Sequence, residues 1–125
     1  MEFIEAPTFT RRVLDYLDGD EYQSLQNSLV ENPDLGDLMP GTGGFRKIRW
    51  ADARRGKGRR GGLRIIYYYF LTDQQIWLMT LYDKDEASDL TPAQKKMVRA
   101  ALDAELRARE KKRSAQKGIK KGRVR

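Results

Sequence analysis

A dense group of cations lies in the middle of the chain, and its residue types suit phosphate chemistry. Between Phe45 and Arg64 there are nine basic residues and one acid, Asp52, so this stretch has a net charge of +8. Arginine presents a planar fork that binds phosphate through two hydrogen bonds, and lysine supplies a compact cation. We expect seven of these cations to bind the backbone of a nucleic acid: Arg46, Lys47, Arg49, Arg54, Arg55, Arg59 and Arg60.

The composition limits which other chemistry is available. The chain of 125 residues has no cysteine and no histidine. Disulfides, thiol nucleophiles, the usual zinc sites and catalytic triads that use histidine are therefore excluded. Acid pairs such as Asp83 and Asp85 have no histidine beside them, and we expect neither a metal nor a cofactor. Catalysis, if present, must use carboxylates, lysine, arginine or tyrosine.

Charge is also separated along the chain. From Arg107 to Arg125 ten basic residues accompany one acid, Glu110, while the rest of the chain outside the two basic zones has a net charge of −10. Two cationic zones on an acidic body indicate a polyanionic partner, most simply a nucleic acid. The alternative is a solvated basic loop and a flexible tail that bind nothing.

Hydrophobic spacing predicts helices in the first third of the chain. Residues 2–5 form a short strand, and Thr8 is a candidate N-cap for a helix with Phe9, Val13, Tyr16 and Leu17 on one face. A second helix carries Tyr22, Leu25 and Leu29 and ends at Asn32 and Pro33. Residues 34–44 are rich in glycine and proline and predict a loop.

The middle of the chain predicts a sheet that positions the cations. Residues 45–51, 63–71 and 76–82 are predicted strands; the charged segment 52–62 is a loop, and residues 72–75 are a hairpin turn. A final helix begins at Thr91, with proline in its first turn and Gln94 three residues after the cap. Its predicted apolar face is Met97, Ala101, Leu102 and Leu106.

These elements give the order β-α-α-β-β-β-α, an α+β fold in which three helices pack on a small antiparallel sheet. We expect one domain over residues 1–112 and a basic, disordered tail over residues 113–125.

Three segments in this order resemble the RelE/ParE superfamily of bacterial toxins, most closely its HigB-like branch. They are GTGGFRKIRW, GKGRRGGLRIIYYYF and LYDKDEASDLTPAQKKMV. The resemblance covers about residues 1–106 and implies a RelE-like fold. It also implies the toxin of a type II toxin–antitoxin pair, which enters the ribosomal A site and cuts translated mRNA.

RNA can be cut without a metal when the 2′-hydroxyl attacks the adjacent phosphate. The reaction needs a base, cations for the added negative charge and an acid for the leaving oxygen. Neighbouring cations favour the neutral amine of Lys57, which suits a base. The resemblance implies that Arg64 contacts the scissile phosphate and that Lys84 serves near the leaving oxygen. Some relatives have a functional tyrosine near the final helix where this chain has about Leu90, and Tyr82 is a candidate substitute.

Two other functions fit the same sequence. Members of the superfamily that resemble ParE poison DNA gyrase, a protein-binding activity that needs no phosphate-cleaving cluster. A protein that binds RNA or the ribosome without chemistry would use the same cations.

The resemblance also implies partners: the ribosome, its mRNA and a cognate antitoxin, often a helix-turn-helix protein in HigB-like pairs. No apolar run approaches the roughly 18 residues of a membrane span. The N-terminus does not have the pattern of a signal peptide, so the sequence predicts a cytoplasmic protein.

Overall fold

Five strands and three helices build the chain in a computed structural model that describes residues 1–51 and 62–123, with side chains described as far as residue 116. The strands are β1 (Glu2–Glu5), β2 (Asp37–Leu38), β3 (Arg46–Trp50), β4 (Leu63–Phe70) and β5 (Gln75–Asp83). The helices are α1 (Pro7–Tyr16), α2 (Gly19–Glu31) and α3 (Pro92–Arg123). The predicted α+β fold class is confirmed, and each predicted element is present.

The strands form one mixed sheet in the order β1-β5-β4-β3-β2. β1 pairs in parallel with β5, whereas the other neighbours are antiparallel. The prediction of an all-antiparallel sheet is therefore wrong for this one pair. α1 and α2 carry the chain from β1 at one edge of the sheet to β2 at the other edge before β3 begins. The two-residue strand β2 lies in the segment predicted to be a loop, and its shortness leaves Ile48 to Trp50 of β3 at an open edge.

Helices cover both faces of the sheet, and each face has its own core. α1 and α2 bury Phe9, Val13, Leu25 and Leu29 against one face, which includes the fully buried Tyr67. The other face packs under α3 and the connecting segments, with these buried residues: Ala6, Met39, Phe45, Ile66, Phe70, Met79, Tyr82, Leu90 and Leu102. Successive residues of a strand point to opposite faces of the sheet and therefore pack in different cores.

The predicted start of α3 is confirmed in detail. The backbone N–H of Gln94 donates to Thr91 Oγ1 at 3.1 Å, and Gln94 Oε1 accepts from the backbone N–H of Thr91 at 2.8 Å. This reciprocal capping box satisfies two donors at the helix end. The start of α1 differs from its prediction, because the helix begins at Pro7 after Ala6 and not at a Thr8 cap.

The rest of α3 differs from its prediction in two ways. Met97 is 70% exposed and Leu106 is 38% exposed, whereas Val98, Ala101 and Leu102 face the sheet. The helix also continues to Arg123, past residue 113, where the sequence predicts the basic tail to begin. Arginine, lysine, glutamate and alanine are good helix formers, so a stretch with few apolar residues can extend a helix that is already nucleated.

Candidate nucleic-acid interface

One end of the sheet brings together arginines from two neighbouring strands. Arg49 of β3 pairs in register with Arg64 of β4, which pairs with Tyr82 of β5. Residues opposite each other on adjacent strands have Cβ atoms about 4.5–5.5 Å apart, so the three side chains form one row on the face covered by α3. Arg49 is exposed and Arg64 is half-buried. The guanidinium of Arg64 donates to the Leu63 carbonyl at 3.1 Å. Two arginines paired on neighbouring strands suit an anion bound beside them.

Lys47 extends this row along the same face of β3. Its ammonium lies 3.5 Å from Asp89 Oδ1, and the ammonium of Lys95, in the first turn of α3, lies 3.3 Å from Asp89 Oδ2. Asp89 therefore holds a strand lysine and a helix lysine on either side of its carboxylate. We call the six residues gathered here the basic corner: Lys47, Arg49, Arg64, Tyr82, Asp89 and Lys95.

Asp89 stays ionised within the basic corner. Partial burial works against its charge, but the Leu90 N–H, 2.8 Å away, and the two lysines outweigh it and hold its pKa below the usual range. The carboxylate neutralises part of the positive charge. It also fixes the start of α3 against β3, which sets the shape of the corner.

Tyr82 lies at the base of the basic corner with its hydroxyl buried. That hydroxyl makes no hydrogen bond within the part of the chain that the structure describes. Burial, and then the charge of Asp89, raises the pKa of Tyr82, while the charge of Arg64 works in the opposite direction. The phenol therefore keeps its proton at neutral pH, and it is suited to donate a hydrogen bond or a proton rather than to act as a base.

Lys84 is the first residue after β5 and lies two residues beyond Tyr82 of the row. Its backbone N–H donates to the carbonyl of Gly62 at 2.8 Å, which ties it to the start of β4, and its side chain is exposed. The turn that carries Lys84 is held by Glu86, which accepts a hydrogen bond from the backbone N–H of Asp83 and forms an ion pair of 2.8 Å with Arg12. The hydroxyl of Tyr16 also donates to Glu86.

These contacts lower the pKa of Glu86, first through the hydrogen bond from Tyr16 and then, against partial burial, through the Asp83 N–H and Arg12. Lys84 makes no ion pair with Asp83, Asp85 or Glu86 among the residues described. Its ammonium is therefore available at the same end of the sheet as Arg64.

An open groove runs beside the basic corner along the free edge of β3. It is lined by three cations and two acids, which leaves one net positive charge, and also by Trp50 and by Leu38 of β2; the charged residues are Lys47, Arg49, Lys95, Asp37 and Asp89. The indole is half-buried and packs partly against the core beneath α1 and α2, so one edge of the ring reaches the groove. A cationic groove with an aromatic side chain at its border has the composition of a single-stranded nucleic-acid surface.

The structure separates the predicted site residues into three groups. Lys47, Arg49, Arg64 and Lys84 lie together at one end of the sheet. Arg46 lies on the opposite face, where its guanidinium donates to the Gly36 carbonyl at 2.8 Å and lies 3.4 Å from the carboxylate of Asp34. The remaining predicted residues lie outside the described residues: Arg54, Arg55, Lys57, Arg59 and Arg60.

Sequence reasoning missed Asp89 and Lys95. The contact of Asp89 with Lys47 depends on how the start of α3 docks on β3, and the spacing of residues along the chain carries no signal for that docking. Among the described residues no group of three acidic side chains is arranged to hold a metal ion. Within the same ranges no helix is long and apolar enough to cross a bilayer. No protein-family model matches the chain.

Proposed function

We propose that this protein is a toxin of a type II toxin–antitoxin system, a HigB-like member of the RelE/ParE superfamily that cuts translated mRNA in the ribosomal A site. The row of Arg49, Arg64 and Tyr82 is the observation that supports the proposal most directly. It includes two arginines, whose planar guanidinium groups suit phosphate, on strands at the point where the 52–61 segment leaves and rejoins the sheet. That segment carries Lys57 and four arginines.

The proposed reaction is cleavage by the 2′-hydroxyl of the RNA without a metal ion. The oxygen of the 2′-hydroxyl forms a bond to phosphorus as the bond to the 5′-oxygen breaks, which gives a 2′,3′-cyclic phosphate and a free 5′-hydroxyl. Arg64, with Arg49 beside it, neutralises the charge that grows on the phosphate in the transition state. Lys57 removes the 2′ proton, and Lys84 protonates the leaving oxygen.

Arg64→Ala tests this assignment, with Arg11→Ala as the control for loss of an exposed arginine on α1. Both variants and the wild type are expressed in a bacterial host, and the 5′ ends of cellular mRNA are mapped. We expect growth arrest with new in-frame cuts for the wild type and for Arg11→Ala, and at least a hundredfold fewer cuts for Arg64→Ala, roughly the loss for one transition-state contact.

The two alternatives give different results in the same experiment. Arrest without mRNA cuts, together with inhibited supercoiling by purified protein, would indicate a gyrase inhibitor of the ParE type. A protein that only binds RNA or the ribosome would lose its effect in Arg64→Ala in step with its affinity. The enzyme must lose far more cleavage than ribosome affinity, because the Arg64 contact strengthens in the transition state.

The proposal includes a cognate antitoxin, expected to be a helix-turn-helix protein that covers the basic corner or prevents entry into the ribosome. The pair is expected to repress its own promoter, whereas the toxin alone does not bind that DNA specifically. Operator binding by the isolated chain, measured by footprinting, would contradict this.

A further inference from the structure

The second half of α3, from Arg107 to Arg123, is rich in basic residues and lies at the end of the sheet opposite the basic corner. We call it the arm. The helix starts beside Lys47 and Asp89, crosses the sheet at Leu102 and reaches the β4–β5 turn at Asp73. Fourteen residues separate Lys95 from Arg109, a distance of about 21 Å along a helix. The basic corner and the base of the arm are therefore held apart on one helix.

Asp73 attaches the base of the arm to the sheet. The Arg109 guanidinium lies 2.5 Å from Asp73 Oδ2 and 3.7 Å from the centre of the Phe70 ring. Arg113, one turn later, lies 3.9 Å from the same carboxylate. Stacking and pairing of this kind fix the direction of the helix as it leaves the domain.

Other cations of the arm face solvent. Arg107, Lys111 and Lys112 are exposed, and within the described residues they form no ion pair. The ten helical residues after Arg113 extend the backbone by about 15 Å past this anchor. The sequence of 107–125 has a net charge of +9 and no aromatic residue.

We propose that this arm is a second nucleic-acid surface, which binds the phosphate backbone of a folded RNA duplex while the basic corner engages a single strand. A protein partner would need several apolar or aromatic anchors, and a bilayer would need an apolar face on the helix. The sequence of the arm has no aromatic residue, and its only large apolar residues from 107 to 125 are Ile119 and Val124. Dense positive charge with so few apolar residues matches backbone binding that is independent of sequence. The choice of RNA over DNA rests on the proposed function.

The test compares two triple variants of the full chain that remove the same charge. Arg107→Gln/Lys111→Gln/Lys112→Gln changes the arm, and Arg11→Gln/Lys96→Gln/Arg99→Gln changes exposed cations elsewhere. Glutamine keeps the helix propensity. Binding to an RNA duplex of at least about 16 base pairs is measured by anisotropy, since this length spans two successive minor grooves.

Salt titration between roughly 50 and 200 mM reports the number of phosphates that each protein contacts. We expect the arm variant to lower the slope of log K against log salt by about 2–3, and the control variant to keep the slope of the wild type. Equal slopes for all three proteins, or equal losses in both variants, would overturn the proposal. A DNA duplex of the same length that binds as tightly as RNA would overturn the assignment to RNA.

Binding is measured here without cleavage, so the two proposals fail differently. If only the nuclease proposal is wrong, mRNA stays intact and the arm still binds the duplex. If only the arm proposal is wrong, mRNA is cut in an Arg64-dependent way while the arm variant binds the duplex like the wild type.

Discussion

Arg46 and Arg49 lie three residues apart on β3 and face opposite sides of the sheet. Arg49→Ala removes an exposed cation of the basic corner, whereas Arg46→Ala removes the hydrogen bond to the Gly36 carbonyl. We expect Arg49→Ala to weaken RNA binding by about tenfold with unchanged stability, since a bidentate arginine contact contributes about 1–3 kcal/mol.

The opposite result is expected for Arg46→Ala, which should lower the free energy of unfolding by about 1 kcal/mol and leave RNA affinity unchanged. Urea unfolding and anisotropy with a single-stranded RNA measure the two quantities on each variant. Loss of RNA affinity in Arg46→Ala without loss of stability would contradict the separation of the two faces.

The variant Tyr82→Phe tests whether the basic corner keeps a proton donor that lowers the free energy of unfolding. Its hydroxyl is buried without a hydrogen bond to the described residues, an arrangement that destabilises a fold by about 1–3 kcal/mol. Tyr82→Phe should therefore unfold at the same urea concentration as the wild type or a higher one. If the hydroxyl donates a hydrogen bond to the bound phosphate, cleavage by the same variant should fall at least tenfold. Cleavage at the rate of the wild type would leave Tyr82 with a packing role alone.

At the scale of elements, the sequence predicts best what depends on near neighbours. The Thr91–Gln94 capping box, the β4–β5 hairpin and the apolar face of α1 each follow from residues within a few positions of one another. The row of Arg49 and Arg64 also follows once β3 and β4 are recognised as adjacent strands, because register then places both at one sheet end.

Features that depend on docking between elements could not be predicted in this way. The parallel pairing of β1 with β5 follows from the path of α1 and α2, and residues 2–5 contain no marker of it. Met97 is exposed although its spacing fits the predicted apolar face, because α3 turns Val98 and Ala101 toward the sheet. Asp89 and Lys95 join the basic corner for the same reason.

The turn after β5 provides a prediction at this scale, because Glu86 ties it to α1. The pKa of Glu86 in the folded protein lies below its ordinary value of 4.5, so the carboxylate stabilises the fold. That contribution is complete above the pKa of the unfolded chain and is lost as the pH falls through the folded pKa. Arg12 and Glu86 are 35% and 41% exposed, so solvent screening limits their pairing to about 0.5–1 kcal/mol.

Glu86→Gln should therefore be less stable than the wild type at pH 7, and the difference should shrink as the pH falls below 4.5. Urea unfolding of both proteins from neutral to acidic pH measures the difference. The control is Glu31→Gln, at the exposed end of α2. A difference that stays constant down to the lowest pH would show that the ionised carboxylate does not hold the turn.

At the scale of the whole molecule, α3 contributes to the core in its first half, at Leu102, and the chain carries ten basic residues from Arg107 onward. Among the side chains described as far as residue 116, the last buried one in the helix is Leu102, and the Asp73 contacts end at Arg113. Residues 114–116 are exposed, and the sequence from 114 to 125 adds five basic residues. Helical structure of this kind opens locally at little cost and independently of global unfolding.

Deletion of residues 114–125 should therefore leave the free energy of unfolding within about 0.5 kcal/mol of the full chain, as for surface changes in general. The helical signal in far-ultraviolet circular dichroism should fall, because ten helical residues are lost. The matched variant Arg109→Ala keeps the arm and removes its anchor over Phe70, so it should destabilise the domain while the helical signal changes little. If the deletion destabilises the protein more than Arg109→Ala does, the arm packs on the domain and is not a separate binding surface.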